Sequence, residues 1–76
     1  MPKLKQFSGC RIAMYPRDHR PAHVHVEFRD GSRCTVEIDS LKVSGSIRPA
    51  ARLAPAMAWI AANKATLLAK WKEIAQ

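Results

Sequence analysis

The stretch "HVHVEFRDGSRCTVEID", residues 23–39, decides the fold. Apolar and polar residues alternate on both sides of a central "FRDGSR". Successive side chains of a strand point to opposite faces, so each half predicts a β-strand with one apolar face. Together the halves predict an antiparallel hairpin whose inward-facing residues are Val24, Val26, Phe28, Cys34, Val36 and Ile38.

The turn of this hairpin sets its register. A two-residue turn at Asp30-Gly31 would place Glu27 opposite Cys34 and mix the two faces, although opposed side chains must share a face. A three-residue loop from Arg29 to Gly31, with Gly31 in the left-handed position of a G1 bulge, keeps the faces apart. The expected opposed pairs are Val26 with Cys34, Val24 with Val36, Glu27 with Arg33, His25 with Thr35, and His23 with Glu37.

The flanking segments complete an α+β domain. "CRIAMY", residues 10–15, predicts one more strand, and "LKVSGSIRPA", residues 41–50, is a connection that can add a short fourth. After it the apolar residues recur at helical spacing, with regular helix expected to begin near 52–55 because of Pro55. We therefore predict a single domain, residues 1–76, in which a small antiparallel β-meander of three or four strands packs on one long C-terminal helix. The helical stripe is Leu53, Met57, Ile60, Lys64, Leu67, Trp71 and Ile74.

Composition narrows the class of protein. The chain has 76 residues, a formal charge of +7 and two cysteines. The charge favours an anionic partner such as nucleic acid or an acidic protein, or serves solubility alone. There is no apolar run of the roughly 20 residues that cross a membrane, and no signal peptide pattern. We expect a cytoplasmic protein with reduced thiols, no membrane partner and no cofactor.

Three histidines lie within seven positions, in "DHRPAHVHVEF", residues 18–28. His23 and His25 share a strand face with Cα atoms about 6.5 to 7 Å apart, so both can address one small ligand. His19 ends a proline-bounded loop and could reach the same patch. Three interpretations are open: acid/base chemistry by a histidine pair, a metal site formed by all three, and exposed strand residues without a site.

Acid/base cleavage of RNA requires a proton acceptor, a proton donor and cations for the phosphate. Glu37 opposite His23 could fix its tautomer, and Asp18 either caps the loop or orients a histidine. Tyr15 could stack on a base, donate to a phosphate or close the sheet edge. The cations near the histidines in sequence or register are Arg11, Arg17, Arg20 and Arg33.

The histidine segment resembles the signature of a bacterial family catalogued as domain of unknown function 4160, roughly Asp/Glu-His-x-Pro-Pro-His-x-His-Val. The resemblance extends to "FSGCRIAMYPRDH" before it, "VSGSI" after the hairpin and "AWIAANKATLLAKW" in the closing helix. It covers nearly the whole chain. One departure is Ala22, where the family usually has a second proline.

The resemblance implies the toxin of a toxin–antitoxin pair, a dyad-histidine toxin whose dyad is His23 and His25, with Asp18, His19 and Pro21 as the rest of the motif. We therefore expect a metal-independent ribonuclease or phosphotransfer-type toxin that acts on RNA or nucleotides and binds a cognate antitoxin. The alternatives are a non-enzymatic, basic nucleic-acid-binding module and a metal-dependent hydrolase with three histidine ligands.

Overall fold

A computed structural model of the chain describes residues 3–15 and 21–74. Within these residues, five strands form one antiparallel sheet in the order β1-β2-β3-β4-β5, so every strand pairs with its neighbour along the chain. The sheet is therefore a meander, as predicted. The strands are β1 (Lys3–Gln6), β2 (Cys10–Ala13), β3 (His23–Phe28), β4 (Arg33–Glu37) and β5 (Val43–Ser44).

The predicted strand number was too low. The short strand β5 confirms the possible fourth strand, but β1 was not predicted. β1 is a lysine-containing edge strand with an irregular register against β2, and both features protect a sheet edge from pairing with another chain. Four residues that carry two lysines give too little alternation to predict a strand from sequence.

The β3–β4 hairpin has the predicted register. Val24 pairs with Val36 and Val26 with Cys34. The backbone N–H of Phe28 donates to the carbonyl of Ser32 at 2.8 Å, so the loop is the three residues 29–31. Gly31 has φ +93°, in the left-handed region. The alternation of polar and apolar residues was thus sufficient to exclude the two-residue turn.

The predicted single helix is wrong, because Asn63 divides it. A 3-10 turn, Ala50–Leu53, leads into α1 (Ala54–Ala62), and α2 (Lys64–Ile74) follows. Asn63 has φ −121° and ψ 22°, and its Nδ2 donates to the carbonyl oxygen of Trp59 at 2.8 Å. Asparagine competes in this way with the helical hydrogen-bond pattern. The expected start of regular helix near 52–55 is confirmed, with Pro55 in the first turn of α1.

The core lies between the even-numbered face of the sheet and the helical stripe. Burial of each large apolar side chain stabilises the fold by about 1.5 to 3 kcal/mol. The Nζ of Lys64, at the start of α2, donates to the carbonyl oxygen of Asp39 at 2.9 Å and ties the helix to the turn after β4. The residues buried in this core include Ile12, Met14, Val24, Val26, Val36, Ile38, Ile60, Leu67 and Trp71.

Candidate functional site

His23 and His25 lie together on the polar face of β3. Their ring centroids are 5.3 Å apart and the rings are tilted by 55°. Both side chains are half-buried, and the register places His23 opposite Glu37 and His25 opposite Thr35, as predicted. The two imidazoles are therefore close enough to contact one small substrate group.

Two contacts hold the ring of His23. Its Nδ1 lies 2.8 Å from the carbonyl oxygen of Pro21, which can only accept a hydrogen bond. Nδ1 is therefore the protonated nitrogen, and in the neutral ring the lone pair is on Nε2. Trp71 of α2 lies against the same ring, with centroids 5.2 Å apart. The histidines lie on the face opposite the inward-facing residues of the hairpin, yet the end of α2 reaches His23.

Tyr15 holds the ring of His25. The two rings meet edge to face, with centroids 4.8 Å apart and an interplanar angle of 80°. The Tyr15 hydroxyl continues to Glu27 and donates to its Oε2 at 2.6 Å. Ala13, which lies across from His25, is also buried. Tyr15 therefore connects the histidine pair to a carboxylate two residues further along β3.

Glu27 is the charged centre beside the histidines. Its Oε1 accepts a hydrogen bond from Nε of Arg11 at 2.8 Å, and its side chain is only 19% exposed, against 53% for Arg11. The hydrogen bond from Tyr15 lowers the pKa of Glu27. Burial of the carboxylate opposes this shift, and the hydrogen bond and charge of Arg11 add to it. The hydrogen bond between Tyr15 and Glu27 also raises the pKa of Tyr15. Glu27 therefore remains ionised and keeps a negative charge near His25.

The remaining predicted site residues are distributed as follows. Glu37 lies across from His23, and its Oε1 accepts a hydrogen bond from the Ser40 hydroxyl at 3.0 Å. Arg33 is exposed across from Glu27, while Arg11 is bound to that carboxylate. The predictions for Arg17, Asp18, His19 and Arg20 fall outside the described residues.

Sequence reasoning missed the roles of Glu27 and Trp71. Arg33 lies across from Glu27 as predicted, but the carboxylate accepts its hydrogen bonds from Arg11 of β2 and from Tyr15. The pairing of Arg11 with Glu27 follows from the β2–β3 register. The strands are joined by a long connection, residues 16–22, and a connection of this length does not fix the register between the strands it joins, so the sequence could not predict the pair. Trp71 was assigned to packing, which is correct but leaves out its contact with His23.

The metal and membrane predictions are tested only in the described residues. In residues 3–15 and 21–74, no three His, Cys, Asp or Glu side chains are grouped so that they could hold a metal ion. The three-histidine hypothesis includes His19, so it stays a prediction. Of the two described helices, neither is long and apolar enough to cross a membrane.

Comparison with known proteins gives one match. A family model described as "Domain of unknown function (DUF4160)" matches residues 9–72. No curated protein and no solved structure matches the chain. The matched segment contains β2 to β5, the histidine pair, Glu27, Trp71, all of α1 and most of α2. Because it covers most of the 76 residues, the chain belongs to this family of unknown function.

Proposed function

We propose that the protein is the toxin of a bacterial two-gene toxin–antitoxin module and that it cleaves RNA or transfers phosphoryl groups with His23 and His25 as an acid/base pair. The observation that carries the proposal is the pair of imidazoles, 5.3 Å apart on one strand. One of the pair has its tautomer set by a backbone carbonyl. Two histidines of complementary roles are the minimum machinery for proton transfer to and from a phosphodiester.

In this mechanism His23 is the base. Its Nδ1–H donates to Pro21, so the lone pair on Nε2 can take the proton of a ribose 2′-hydroxyl. The 2′-oxygen then attacks the adjacent phosphorus, and the bond from phosphorus to the 5′-oxygen breaks. The products are a 2′,3′-cyclic phosphate and a 5′-hydroxyl end.

His25 is the acid that protonates the leaving 5′-oxygen. The carboxylate of Glu27 lies two residues further along the same face of β3 and accepts the hydrogen bond of the Tyr15 hydroxyl. Tyr15 touches the His25 ring and fixes its position relative to that carboxylate. Arg33, exposed on the neighbouring strand, would hold a phosphate, and the sequence places Arg17 and Arg20 in the loop before β3 for the same purpose.

The partners follow from the same proposal. The cognate antitoxin would neutralise the toxin by binding it in the cytoplasm, where two buried free thiols, Cys10 and Cys34, stay reduced. The net charge of +7 supports both an RNA substrate and an acidic antitoxin surface. No metal or cofactor is required for this reaction.

The test replaces both histidines by alanine, as H23A/H25A, and compares toxicity on expression without the antitoxin. We expect loss of toxicity, and for the purified protein a loss of RNA cleavage of at least about 100-fold, because acid/base groups contribute 10²–10⁴-fold. The control is Thr35→Ala, on the same face opposite His25, which should keep both activities. A double variant as toxic as the parent would sink the proposal.

Two other outcomes identify the alternatives. If Arg33→Gln abolishes toxicity while H23A/H25A keeps it, the protein acts as a basic nucleic-acid-binding module. If cleavage by the untagged protein stops on chelation and returns with zinc, the three-histidine metal hydrolase replaces the acid/base dyad.

A further inference from the structure

A small polar pocket lies at the end of β3 that is remote from His23. Its volume is about 220 Å³. It forms where the turn between β1 and β2 meets the end of β3, and the N–H of Arg29 there donates to the carbonyl of Gly9 at 3.2 Å. The residues that line it are Gln6, Cys10, Arg11, Glu27, Phe28 and Arg29.

The charge of this region is positive despite Glu27. The carboxylate has Arg11 across from it on β2, Arg33 across from it on β4, and Arg29 two residues further along the chain. Glu27 is thus one carboxylate among three arginines, and the neighbouring Asp30 forms an ion pair with Arg52. Glu27 engages Nε of Arg11, which is one of five N–H donors of a guanidinium that is 53% exposed. Arginine donors in this number are suited to phosphate oxygens.

The size of the pocket limits its ligand. Pockets that enclose a drug-sized molecule have volumes of about 300–1,000 Å³, so this one is too small for a whole nucleotide and suited to a phosphate group. Its position adds a direction. His25 and Glu27 lie about 6.6 to 6.8 Å apart on one face of β3, and Arg29 follows in the loop after Phe28. The pocket therefore lies beyond the histidines, at the end of β3.

We propose that this pocket binds a backbone phosphate of single-stranded RNA on the neighbouring nucleotide, one position along from the phosphate held between His23 and His25. The inference rests on the proposed function and adds a subsite to it. Arg29 and Arg11 bind the phosphate oxygens. The substrate is then a chain of at least two linked nucleotides that runs along β3 toward the hairpin loop.

The experiment uses 2′-O-methyl oligouridylates, which the proposed reaction cannot cleave, because they lack the free 2′-hydroxyl. A tetranucleotide and the single nucleotide uridine 5′-phosphate are titrated into the full-length protein, with amide NMR shifts and fluorescence anisotropy as readouts. We expect the tetranucleotide to shift the amides of Gly9 and Arg29, and the mononucleotide to bind at least about tenfold more weakly.

The decisive variant is Arg29→Gln. It should weaken tetranucleotide binding about five- to tenfold, as expected for one lost charged contact, and leave mononucleotide binding within about twofold. The slope of log K against log salt should fall by about 0.7, the value for one phosphate on a single strand. The matched control is Arg48→Gln, an exposed arginine outside the pocket, which removes the same charge and should leave binding within about twofold.

The subsite proposal is overturned if the tetranucleotide does not bind, if Arg29→Gln changes nothing, or if both arginine variants weaken binding equally. Equal weakening would indicate diffuse attraction without a site. If Arg29→Gln weakens binding of the mononucleotide as much as binding of the tetranucleotide, the pocket is a site for free phosphate compounds. This result would also overturn the subsite proposal. If the subsite test fails and H23A/H25A still loses RNA cleavage, the acid/base mechanism of the two histidines stands without the subsite. If the subsite is confirmed and H23A/H25A stays toxic, only the acid/base mechanism is overturned.

Discussion

At the scale of single residues, Glu27 organises the polar face. It accepts one hydrogen bond from Tyr15 and one from Arg11, and each comes from outside its own strand. Hydrogen bonds to a charged group are the strong ones in proteins, and a largely buried carboxylate without them would be costly. The position of the Tyr15 ring against His25 is therefore a consequence of satisfying Glu27.

The Tyr15→Phe variant tests this connection. Removing the hydroxyl should lower the free energy of unfolding by about 1 kcal/mol at pH 7, since the ring and hydroxyl are only partly buried. A carboxyl whose folded pKa is lowered stabilises the fold above its unfolded pKa, near 4.5, and loses this contribution as the pH falls through the folded value. The penalty should therefore shrink below about pH 4.

Urea denaturation of the parent and the variant between pH 7 and pH 3 measures the difference. Glu27→Gln serves as the control, because adding Tyr15→Phe to it should cost less than Tyr15→Phe alone. An equal penalty at both ends of the pH range would show that the hydroxyl does not act through the carboxylate.

At the scale of elements, two glycines with positive φ lie beside β4, one in the loop before it and one next to Cys34. Gly31 ends the β3–β4 loop at φ +93°, and Gly45 follows β5 at φ +113°. A Cβ at Gly31 would meet nothing within 4 Å, whereas one at Gly45 would lie 3.1 Å from Cβ of Cys34 and 3.2 Å from its Cα. The first glycine is needed for backbone conformation alone, and the second also for the close approach of two strands.

A valine series separates these causes. Gly31→Val should cost about 1 kcal/mol or more, because β-branched residues avoid positive φ. Gly45→Val should cost more than Gly31→Val, since strain and overlap with Cys34 add. Gly9→Val is the control, because Gly9 has no positive φ and an added Cβ there meets nothing.

Thermal or urea unfolding gives the order, and ring NMR signals of His25 report whether the hairpin change reaches the site. If Gly31→Val is as well tolerated as Gly9→Val, the G1-bulge loop is not what holds the register.

At the scale of the whole molecule, the C-terminal helix and the candidate site are one unit. Trp71 is buried in the core and its ring also lies against His23. The molecule measures 34 × 22 × 19 Å. In its described residues, one sheet carries the core on one face and the histidines on the other. Packing of α2 therefore sets the position of one catalytic candidate.

Trp71→Phe is the corresponding prediction. The smaller ring leaves part of its volume unfilled, so the free energy of unfolding should fall by about 1 to 2 kcal/mol. The ring signals of His23 should shift more than those of His25, because only His23 loses the indole beside it. Trp59→Phe, a half-buried tryptophan on α1, is the control and should leave His23 unchanged. Equal shifts from both variants would contradict a direct Trp71–His23 contact.

The sequence by itself determined the α+β class, the β3–β4 register, the left-handed Gly31 and the common face of His23 and His25. These features follow from two local patterns, the alternation of polar and apolar residues and a short turn. Together the two patterns allow only one register of the hairpin. The helical stripe was also local, and its start was predicted correctly. The edge strand β1 and the break at Asn63 were missed, since few residues determine each of them and tertiary packing decides between near-equal local states.

Only the tertiary structure decided which groups surround the histidines. The β2–β3 register brings Arg11 to Glu27, and the path of α2 brings Trp71 to His23. Neither contact has a sequence signature, because each joins residues through the long-range packing of separate elements. The histidine pair of the candidate site thus follows from a strand of six residues, whereas its electrostatic and steric surroundings depend on how β2 and α2 pack against that strand.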